Sequence, residues 1–299
     1  MKKRILTEAA GSLTAGYLIN AVKNSGNISV ATDAMDECFG KFLCDEFYKV
    51  PYATDPDSKN KLFDICLEHK IDIVIPTLDD SLMTWANMST ELRKKGTYVA
   101  ISESTTLEVF LDKWKTYLFF KKNGIPTPET SLEQKYPLVK PRFGRGGSGI
   151  KITTKPVDMK NNISQVVLTG TEYTIDVFCD KNSKPIYIVP RVRLGVKEGK
   201  ATGGVVIYNK KMIDIVYKIC ETIPFLGPIN IQCFETPQKE IYVTEINPRL
   251  GGGRALGMEA TENWITLIRK ITENETIEAT QAIRYGLKMG RYYNEVFYE

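Results

Sequence analysis

The first hundred residues alternate between short apolar segments and segments with helical spacing, and this alternation constrains the fold more than any other feature. The predicted strands are Arg4–Thr7, Ile28–Thr32, Ile71–Ile75 and Tyr98–Ile101, and the predicted helices are Thr14–Lys23, Ser58–His69 and Leu82–Lys95. Ile71–Ile75 is an apolar run of the kind buried in a parallel sheet. Strands that alternate with helices form βαβ units, so this segment predicts a Rossmann-like parallel sheet.

The pattern changes after Ser104, and we place a domain boundary near residue 107. Further helices are predicted over about Asp112–Lys122, Met212–Glu221 and Glu262–Thr272. From Pro137 onward the rest of the chain is mostly β, with Gly-rich and charged turns. We therefore expect an α/β domain at 1–107 and an α+β domain at 108–299.

Composition and charge narrow the classes of partner. The 299 residues carry a formal net charge of +4. A net charge this small does not indicate nucleic-acid binding, although it allows a local basic cleft that binds phosphates. The six cysteines form no C-x-x-C pair and indicate thiols in a reducing compartment. Glu8 interrupts the apolar stretch near the N-terminus, and no run predicts a membrane span. We expect a cytoplasmic protein with no nucleic-acid or membrane partner.

The chain contains one histidine, His69, and this removes several chemistries. A His-rich zinc site is excluded, and the H-E-x-x-H motif is absent. A Ser-His-Asp or Cys-His mechanism would have to use His69 alone. A surface residue at a helix C-terminus is the favoured interpretation.

The N-terminal sheet offers two sets of residues to a ligand. Asp79 and Asp80 follow a predicted strand, at the end where open α/β sheets bind ligands, and one of them could equally cap the next helix. Gly11 and Gly16 precede Asp33 at the end of the second strand, but they do not make G-x-G-x-x-G. A tight strand-to-helix turn is therefore favoured over a nicotinamide site.

A glycine-rich hairpin begins where Lys140 ends a predicted strand. Its loop contains Gly144, Arg145, Gly146, Gly147 and Ser148, and strand Ile150–Thr153 follows. Glycines allow backbone N–H groups to turn toward an anion, and Lys140 adds a fixed positive charge. There is no G-K-[ST] and no helix after the glycines, so this is not a Walker loop. Alone, the hairpin is weak evidence for phosphate binding.

A second hairpin brings oxygen donors together. Its strands are predicted over Asn230–Phe234 and Ile241–Asn247. Alternation places Glu245 and Asn247 on one face, and if Thr236 pairs with Ile241 then Gln232 lies opposite Glu245. One carboxylate and two amide oxygens suit Mg²⁺ held jointly with phosphate oxygens. The alternative is an exposed polar face of an antiparallel strand.

Arginines accompany these hairpins. Arg191 and Arg193 lie two residues apart on a predicted strand, where they would form either an anion clamp or a solvated face. Arg249 follows the second hairpin, and a second glycine loop comes directly after it. An arginine, a candidate metal cluster and a glycine loop are thus expected at one end of a sheet.

In this order the residues closely resemble the ATP-grasp superfamily over nearly the whole chain. The nearest branch looks like the lone ligases similar to one synthetase half of the carbamoyl phosphate synthetase large subunit. The matching segments are Asp112-Lys113, Asn123-Gly124-Ile125-Pro126, Lys140-Pro141 with its glycine hairpin, Gly170-Thr171-Glu172-Tyr173, Val189–Arg193, Gln232, Glu245–Arg249 and Gly251–Gly253. The resemblance implies a Rossmann-like domain followed by a two-lobed ATP-grasp domain, with a lid lobe at about 124–180.

The resemblance also implies a role for each matching residue. The implied ATP contacts are Lys113, Lys140, Gly144, Arg145, Gly146, Gly147, Ser148, Arg191, Glu172 for the ribose, and backbone groups from Val166 to Leu168 for the adenine edge. The implied ligands of Mg²⁺, or of Mn²⁺, are Gln232, Glu245 and Asn247. Arg249, with Arg193, is implied to neutralise charge on the transferred phosphoryl group. The candidate substrate contacts are Gly251, Gly252, Gly253 and Arg254 of the second glycine loop, together with Asp79 and Asp80, which are candidates from their place at the end of a predicted strand.

Two segments depart from the family's pattern. The adenine hinge, where the family usually has a glutamate, reads Gln165-Val166-Val167-Leu168. Only Lys155–Ser164 is left for the lid helix. These departures bear on purine selectivity and on lid motion.

The activity implied by the resemblance is ATP- and Mg²⁺-dependent joining of a carboxylate to an amine through an acyl phosphate, with release of ADP and phosphate. The expected partners are a small-molecule carboxylate and an amine, and a homodimer stays open. A nucleotide-binding module without turnover is one alternative, and the intact Gln232, Glu245, Asn247 and Arg249 argue against it. A nicotinamide-dependent oxidoreductase is the other, and the missing glycine fingerprint argues against that.

Overall fold

The computed structural model describes residues 1–144, 147–197, 200–292 and 294–298, and for residues 196, 197 and 200 it describes the backbone alone. The chain divides into two compact units. The first comprises Met1–Ser104, Glu262–Thr280 and Tyr292–Glu299, and the second comprises Thr105–Thr261 and Gln281–Arg291. The predicted division at residue 107 concerns domains and stays a prediction, whereas the units show that two C-terminal segments associate with the N-terminal one.

Within its described residues, the first unit is built on one parallel sheet. Its strands are β1 (Arg4–Glu8), β2 (Ile28–Asp33), β3 (Glu46–Lys49), β4 (Ile73–Ile75) and β5 (Tyr98–Val99), and its helices include α1 (Ala15–Asn24), α2 (Phe39–Leu43), α3 (Ser58–Glu68), α4 (Leu82–Lys94) and α9 (Trp264–Thr272). The strand order is β3-β2-β1-β4-β5, and every pair is parallel. Apolar strand residues such as Ile5, Leu6 and Val74 are fully buried. The predicted Rossmann-like sheet is confirmed.

The second unit contains two antiparallel sheets among its described residues. Its strands are β6 (Thr130–Ser131), β7 (Leu138–Pro141), β8 (Lys151–Ile152), β9 (Asn162–Gln165), β10 (Thr171–Cys179), β11 (Pro185–Lys197), β12 (Lys200–Val206), β13 (Gly227–Glu235), β14 (Ile241–Asn247) and β15 (Lys288–Gly290), and its helices are α5 (Ser104–Phe110), α6 (Lys113–Lys122), α7 (Lys210–Thr222) and α8 (Arg254–Glu259). The small sheet has the order β6-β9-β7-β8, and the large sheet has the order β14-β13-β10-β11-β12-β15.

The large sheet has one apolar and one polar face. Helix α7 buries Met212, Val216 and Ile219 in a core that also contains Ile175 of β10 and Ile231 of β13. Because side chains alternate along a strand, the residues between these apolar ones point to the other face. That second face is the one that carries the polar side chains of β10, β11, β13 and β14.

The connection from β8 to β9 is short. Residues 153–161, all of which the structure describes, form no helix. The truncated lid helix predicted from the sequence is therefore not found in this segment.

In the described part of the chain, no helix has both the length and the apolar character needed to cross a membrane.

Candidate active site

A cavity of about 230 Å³ lies between the two sheets of the second unit. Most of the predicted nucleotide and metal residues that the structure describes line it: Lys113, Lys140, Gly144, Gly147, Ser148, Glu172, Gln232 and Glu245. The remaining lining residues are Leu138, Pro141, Phe143, Ile150, Gln165, Phe234 and Thr244. Arg145 and Gly146, which the sequence also assigned to the phosphate loop, lie outside the described residues.

Lys140 is a buried cation in the wall of this cavity. Its side chain lies at the end of β7, and its Nζ donates to Oε1 of Gln165 at 3.0 Å. Gln165 in turn donates from Nε2 to Oγ1 of Thr130 at 2.9 Å. Burial lowers the pKa of Lys140 to about 8, the Glu245 carboxylate opposes that shift, and the Lys113 ammonium adds to it. Lys140 therefore faces the cavity with a charge that no described carboxylate neutralises directly.

The second lysine is held at the base of the glycine loop. Lys113 begins α6, and its Nζ donates to the carbonyl oxygen of Gly144 at 2.8 Å. Asp112, the N-cap, accepts from Nε and Nη2 of Arg142 at 2.7 and 2.6 Å. Although burial opposes its charge, the Arg142 guanidinium holds the pKa of Asp112 below its ordinary value. This ion pair fixes the start of α6 against the strand that leads into the loop, so the positions of Lys113 and the loop are coupled.

The β13–β14 hairpin has a register that the sequence predicted only in part. The pairing of Thr236 with Ile241, on which the prediction was conditional, is not found, because Glu235 is the residue opposite Ile241. A bulge between Gln232 and Cys233 then shifts the pairing by one residue. Gln232 consequently lies opposite Glu245, as predicted, and both line the cavity.

The same hairpin supplies oxygen donors that fit Mg²⁺. Gln232 and Glu245 face each other across β13 and β14, and Asn247 follows Glu245 two residues later. Asn247 is buried, and its Oδ1 accepts from Nη2 of Arg249 at 3.2 Å. Mg²⁺ is commonly bound through one or two protein carboxylates together with substrate phosphates and water. Glu245, the Gln232 amide and two lysines line one cavity, which matches that type of site, whereas Asn247 is not among the residues that line it.

The described residues contain no group of three His, Cys, Asp or Glu side chains suited to a metal ion. The candidate set on the hairpin is of a different kind, since only Glu245 in it carries a full charge. Metal binding here would accordingly depend on the phosphates of a bound nucleotide.

Arg191 and Arg193 are ion-paired, which corrects the prediction of an open anion clamp or a solvated face. Arg191 is 3% exposed, and its Nε donates to Oδ2 of Asp176 at 2.6 Å. Arg193 pairs with Glu172, which lines the cavity. A buried charge requires a partner, and strands β10 and β11 provide one for each arginine. The predicted ribose residue Glu172 is therefore oriented by Arg193.

The predicted adenine segment is partly used by the fold. The backbone N–H of Val166 donates to the carbonyl oxygen of Glu129 at 3.0 Å, so it is not available to an adenine edge. Val166 and Leu168 are half-buried and follow β9 directly. Adenine recognition by this segment would have to use the Val166 carbonyl and groups nearer Leu168.

The second glycine loop packs on buried polar side chains. A Cβ at Gly251 would lie 2.7 Å from Nδ2 of Asn230, and one at Gly253 would lie 2.0 Å from Nη2 of Arg191. Asn230 and Arg191 both bond Asp176, so the loop covers a buried network. Arg254, predicted to contact substrate, is 4% exposed, which makes it a buried residue at the start of α8.

We expect Gly253→Ala to lower the free energy of unfolding by about 1–3 kcal/mol, since the new methyl group must displace the ion-paired Arg191. Gly252→Ala is the matched control, because nothing lies within 4 Å of a Cβ there. Urea unfolding of both variants measures the difference. Equal stabilities would contradict the close packing of Arg191 on Gly253.

The remaining predicted residues belong to the first unit. Asp79 and Asp80 open a 3-10 turn, Asp79–Ser81, after β4, and Ser81 is the N-cap residue of α4. Neither aspartate is thus the residue that caps this helix. Asp33 accepts from the backbone N–H of Gly11 at 2.8 Å, which supports the interpretation of that glycine as part of a tight turn.

Sequence reasoning missed several residues that line the cavity. Phe234 had a usable signal, because it alternates with Gln232 on β13 and therefore shares its face. Gln165 was noticed only as a departure in the adenine hinge, and its bond to Lys140 depends on the pairing of β7 with β9. Thr244 occupies the bulge, which no alternating pattern predicts.

Comparison with protein-family models gives two matches. The model described as "ATP-grasp domain" matches residues 110–253, and the model described as "PylC-like, N-terminal domain" matches residues 10–100. Among curated proteins, a carbamoyl-phosphate synthase from Methanobrevibacter smithii is 24% identical over 269 residues, which cover 79% of this chain and 71% of that protein.

Solved structures share the fold. The N5-carboxyaminoimidazole synthetase of Staphylococcus aureus, complexed with ADP, superposes with a TM-score of 0.74 at 17% identity, covering 95% of this chain and 81% of that chain. The biotin carboxylase domain of the Hydrogenobacter thermophilus 2-oxoglutarate carboxylase has a TM-score of 0.75 at 17% identity, covering 96% and 73%. The L-amino acid ligase of Bacillus licheniformis has a TM-score of 0.73 at 16% identity, covering 96% and 78%.

These matches confirm the fold class and the resemblance predicted from the sequence. The two family models fall on the two parts of the chain for which the sequence predicted separate folds. The chain is a member of the ATP-grasp superfamily and an enzyme of its ligase class, in which an ATP-grasp domain follows a PylC-like N-terminal domain.

Proposed function

We propose that this chain binds ATP with Mg²⁺ in the cavity of the second unit and uses it to join a carboxylate to an amine. The carboxylate attacks the γ-phosphate, ADP leaves, and the resulting acyl phosphate reacts with the amine to give an amide and phosphate. One observation carries the proposal: Lys113, Lys140, Gln232 and Glu245, which are distant in sequence, line one cavity together with the glycine loop.

The lysines are assigned to the phosphates. Lys140 is buried and its pKa is lowered to about 8, so at neutral pH it is still mostly charged and offers a desolvated cation. Lys113 reaches the same cavity from α6 and touches the carbonyl of Gly144 in the loop. Two fixed cations and a glycine loop can hold the phosphate chain and neutralise charge that develops during phosphoryl transfer.

The metal is assigned to the β13–β14 hairpin, with Gln232, Glu245 and Asn247 as its protein ligands. When bound there, Mg²⁺ would supply charge neutralisation and orientation of the phosphate oxygens. Arg249 bonds the amide oxygen of Asn247 and orients it, and from that position Arg249 can also neutralise the transferred group. Arg193 is assigned mainly to orienting Glu172, the residue proposed to hold the ribose.

The names of the related proteins support the nucleotide and the substrate class. One synthetase is complexed with ADP, and the carboxylase domain is complexed with MgADP and bicarbonate. The L-amino acid ligase is named for a substrate that carries both a carboxylate and an amine. No protein nucleophile is required, because positioning and charge neutralisation account for the chemistry.

The decisive experiment is an ADP-release screen of pooled carboxylic acids crossed with pooled amines, with bicarbonate as a separate acid. ADP release that needs both an acid and an amine supports amide formation. Release with acid alone indicates activation without the proposed acceptor. Heats of binding for ATP with Mg²⁺ and for NADH separate the ligase from a nicotinamide enzyme, and binding of ATP without turnover for any pair supports a nucleotide-binding module.

We expect ATP to raise the melting temperature only when Mg²⁺ is present, because the proposed site shares the metal between Glu245 and the phosphates. A ligand at a hundred times its dissociation constant stabilises the native state by about 2.7 kcal/mol. Thermal melts with ATP, with ATP and Mg²⁺, and with Mg²⁺ alone measure this. Equal shifts with and without the metal contradict the assignment of Gln232, Glu245 and Asn247.

A further inference from the structure

Two arginines from distant parts of the chain meet at the second glycine loop. Arg191 on β11 lies so close to Gly253 that a Cβ there would clash with its guanidinium. Arg291, directly after β15, donates from Nη2 to the carbonyl oxygen of Gly252. Its backbone N–H donates to the carbonyl oxygen of Thr202 at 2.8 Å. Pairing of β15 with β12 thus places Arg291 at this loop.

The charges of the two arginines are balanced differently. Arg191 is paired with the buried carboxylate of Asp176. Arg291 has no carboxylate within ion-pair distance in the described part of the chain, and its Nε is buried without a hydrogen-bond partner. Burial and the charge of Arg191 lower the pKa of Arg291. Two guanidinium groups beside one carboxylate leave an excess positive charge, which favours a bound anion.

This cationic site adjoins the candidate metal hairpin. Gly251 packs on Asn230, and Asn230 lies opposite Asn247 across β13 and β14. Arg249, which bonds Asn247, is only three residues from Gly252. A carboxylate that is to receive a phosphoryl group must lie beside the metal and phosphates, and the pairing of Asn230 with Asn247 connects the glycine loop to the hairpin assigned to the metal.

We propose that Arg291 binds the carboxylate of the substrate, with Arg191 as a fixed charge behind it. This inference rests on the proposed function, because it names the residue that selects an anionic substrate at the same site. The planar fork of an arginine can bond both oxygens of a carboxylate, which a lysine cannot do in the same way. Arg291 lies outside residues 110–253, the part matched by the ATP-grasp model.

The test compares Arg291→Gln with Lys288→Gln, which removes an exposed charge from the neighbouring strand β15. Acetate is titrated at constant ionic strength against chloride, and binding is followed by calorimetry and by the melting temperature. We expect Arg291→Gln to weaken acetate binding about tenfold or more. Lys288→Gln should bind acetate like the parent chain, Arg291→Lys should recover part of the affinity, and both glutamine variants should keep the stabilisation by ATP with Mg²⁺.

Unchanged acetate affinity in Arg291→Gln overturns the inference, while retained stabilisation by ATP with Mg²⁺ leaves the proposed function standing. If the parent chain itself shows no such stabilisation, the proposed function fails instead. Equal effects of acetate, sulfate and chloride on the parent chain indicate an unselective anion site and also overturn the inference. If Arg291→Gln lowers the melting temperature without any anion and weakens ATP binding as well, Arg291 only holds Gly252 of the loop against the end of β15, and the inference is overturned.

Discussion

Glu245→Ala is expected to reduce Mg²⁺-dependent ADP release by at least about a thousandfold while the protein stays folded. Glu245 is the only carboxylate in the proposed ligand set, since Gln232 and Asn247 carry neutral amides. Its removal takes away the one full negative charge that would hold the metal between β13 and β14. Folding should survive, because Glu245 is partly exposed in the wall of a cavity and contributes nothing to the apolar core on the other face.

The matched control is Glu240→Ala, which removes a carboxylate from the exposed turn of the same hairpin. Its activity should equal that of the parent chain. The activity of Glu245→Ala could be lost because the metal no longer binds or because ATP no longer binds. Binding of ATP in the absence of metal distinguishes these two explanations. Metal-free ATP is expected to bind the parent chain too weakly to shift its melting temperature. Because a carboxylate beside Lys140 repels phosphate, calorimetry should show that the variant binds metal-free ATP no more weakly than the parent chain does. Normal Mg²⁺-dependent ADP release by Glu245→Ala contradicts the metal assignment and the strongest support for the ligase.

The first unit shows what periodicity can predict. Apolar runs and helical spacing correctly predicted strands β1, β2, β4 and β5 and helices α1, α3 and α4 between them, because buried parallel strands must be apolar on both faces. Strand β3 was missed, since all four of its residues retain exposure at the sheet edge. Glu8 looked like an interruption of an apolar stretch. It is buried, and it accepts hydrogen bonds from Trp85 and Ser81, contacts that no local pattern reveals.

The candidate site was predictable where its residues lie on one hairpin. Alternation placed Glu245 with Asn247, and the turn brought Gln232 opposite. Gln232 lies opposite Glu245 as predicted because two offsets cancel. The pairing assumed next to the turn was wrong by one residue, and the bulge at Thr244 shifts the register back by one residue. A bulge depends on packing of the whole strand pair, so the alternation of polar and apolar residues does not indicate where it falls.

Charge pairing was not predictable, because it depends on strand order. Asp176, Arg191 and Asn230 form one buried network only because β13, β10 and β11 are neighbours, an order that the sequence does not follow. Arg291 reaches the glycine loop in the same way, through pairing of β15 with β12. In a sheet of this topology, long-range strand pairing determines which residues contact each other. Local alternation along each strand determines only which residues share a face.

Lys140→Met is expected to weaken binding of ATP with Mg²⁺ at least about thirtyfold, since loss of a buried charge opposite a charged partner costs at least about 2 kcal/mol. The same change should make the unliganded protein more stable at neutral pH. The pKa of Lys140 falls from an ordinary value of 10.5 to about 8 in the folded state. Below about pH 8 both states are protonated, and the folded state then bears the full cost of burying the charge.

Between pH 8 and 10.5 the unfolded chain binds more protons at this lysine than the folded protein does, so the parent's stability should rise with pH. Lys140→Met should lack that rise. At pH 7 the free energy of unfolding of this variant should exceed the parent's by about 1–2 kcal/mol, because the cost of burying the charge is larger than the contribution of the lost bond to Gln165.

Urea unfolding at pH 7 and pH 10 measures both effects, and Lys155→Met, which changes an exposed lysine, is the control for other titrating groups. A variant that loses stability at pH 7 and still binds ATP with Mg²⁺ would make Lys140 a structural residue, and the phosphates would need another cation. A buried cation that binds a ligand lowers the stability of the unliganded protein. Its removal should therefore raise the free energy of unfolding and weaken the binding of ATP with Mg²⁺ at the same time.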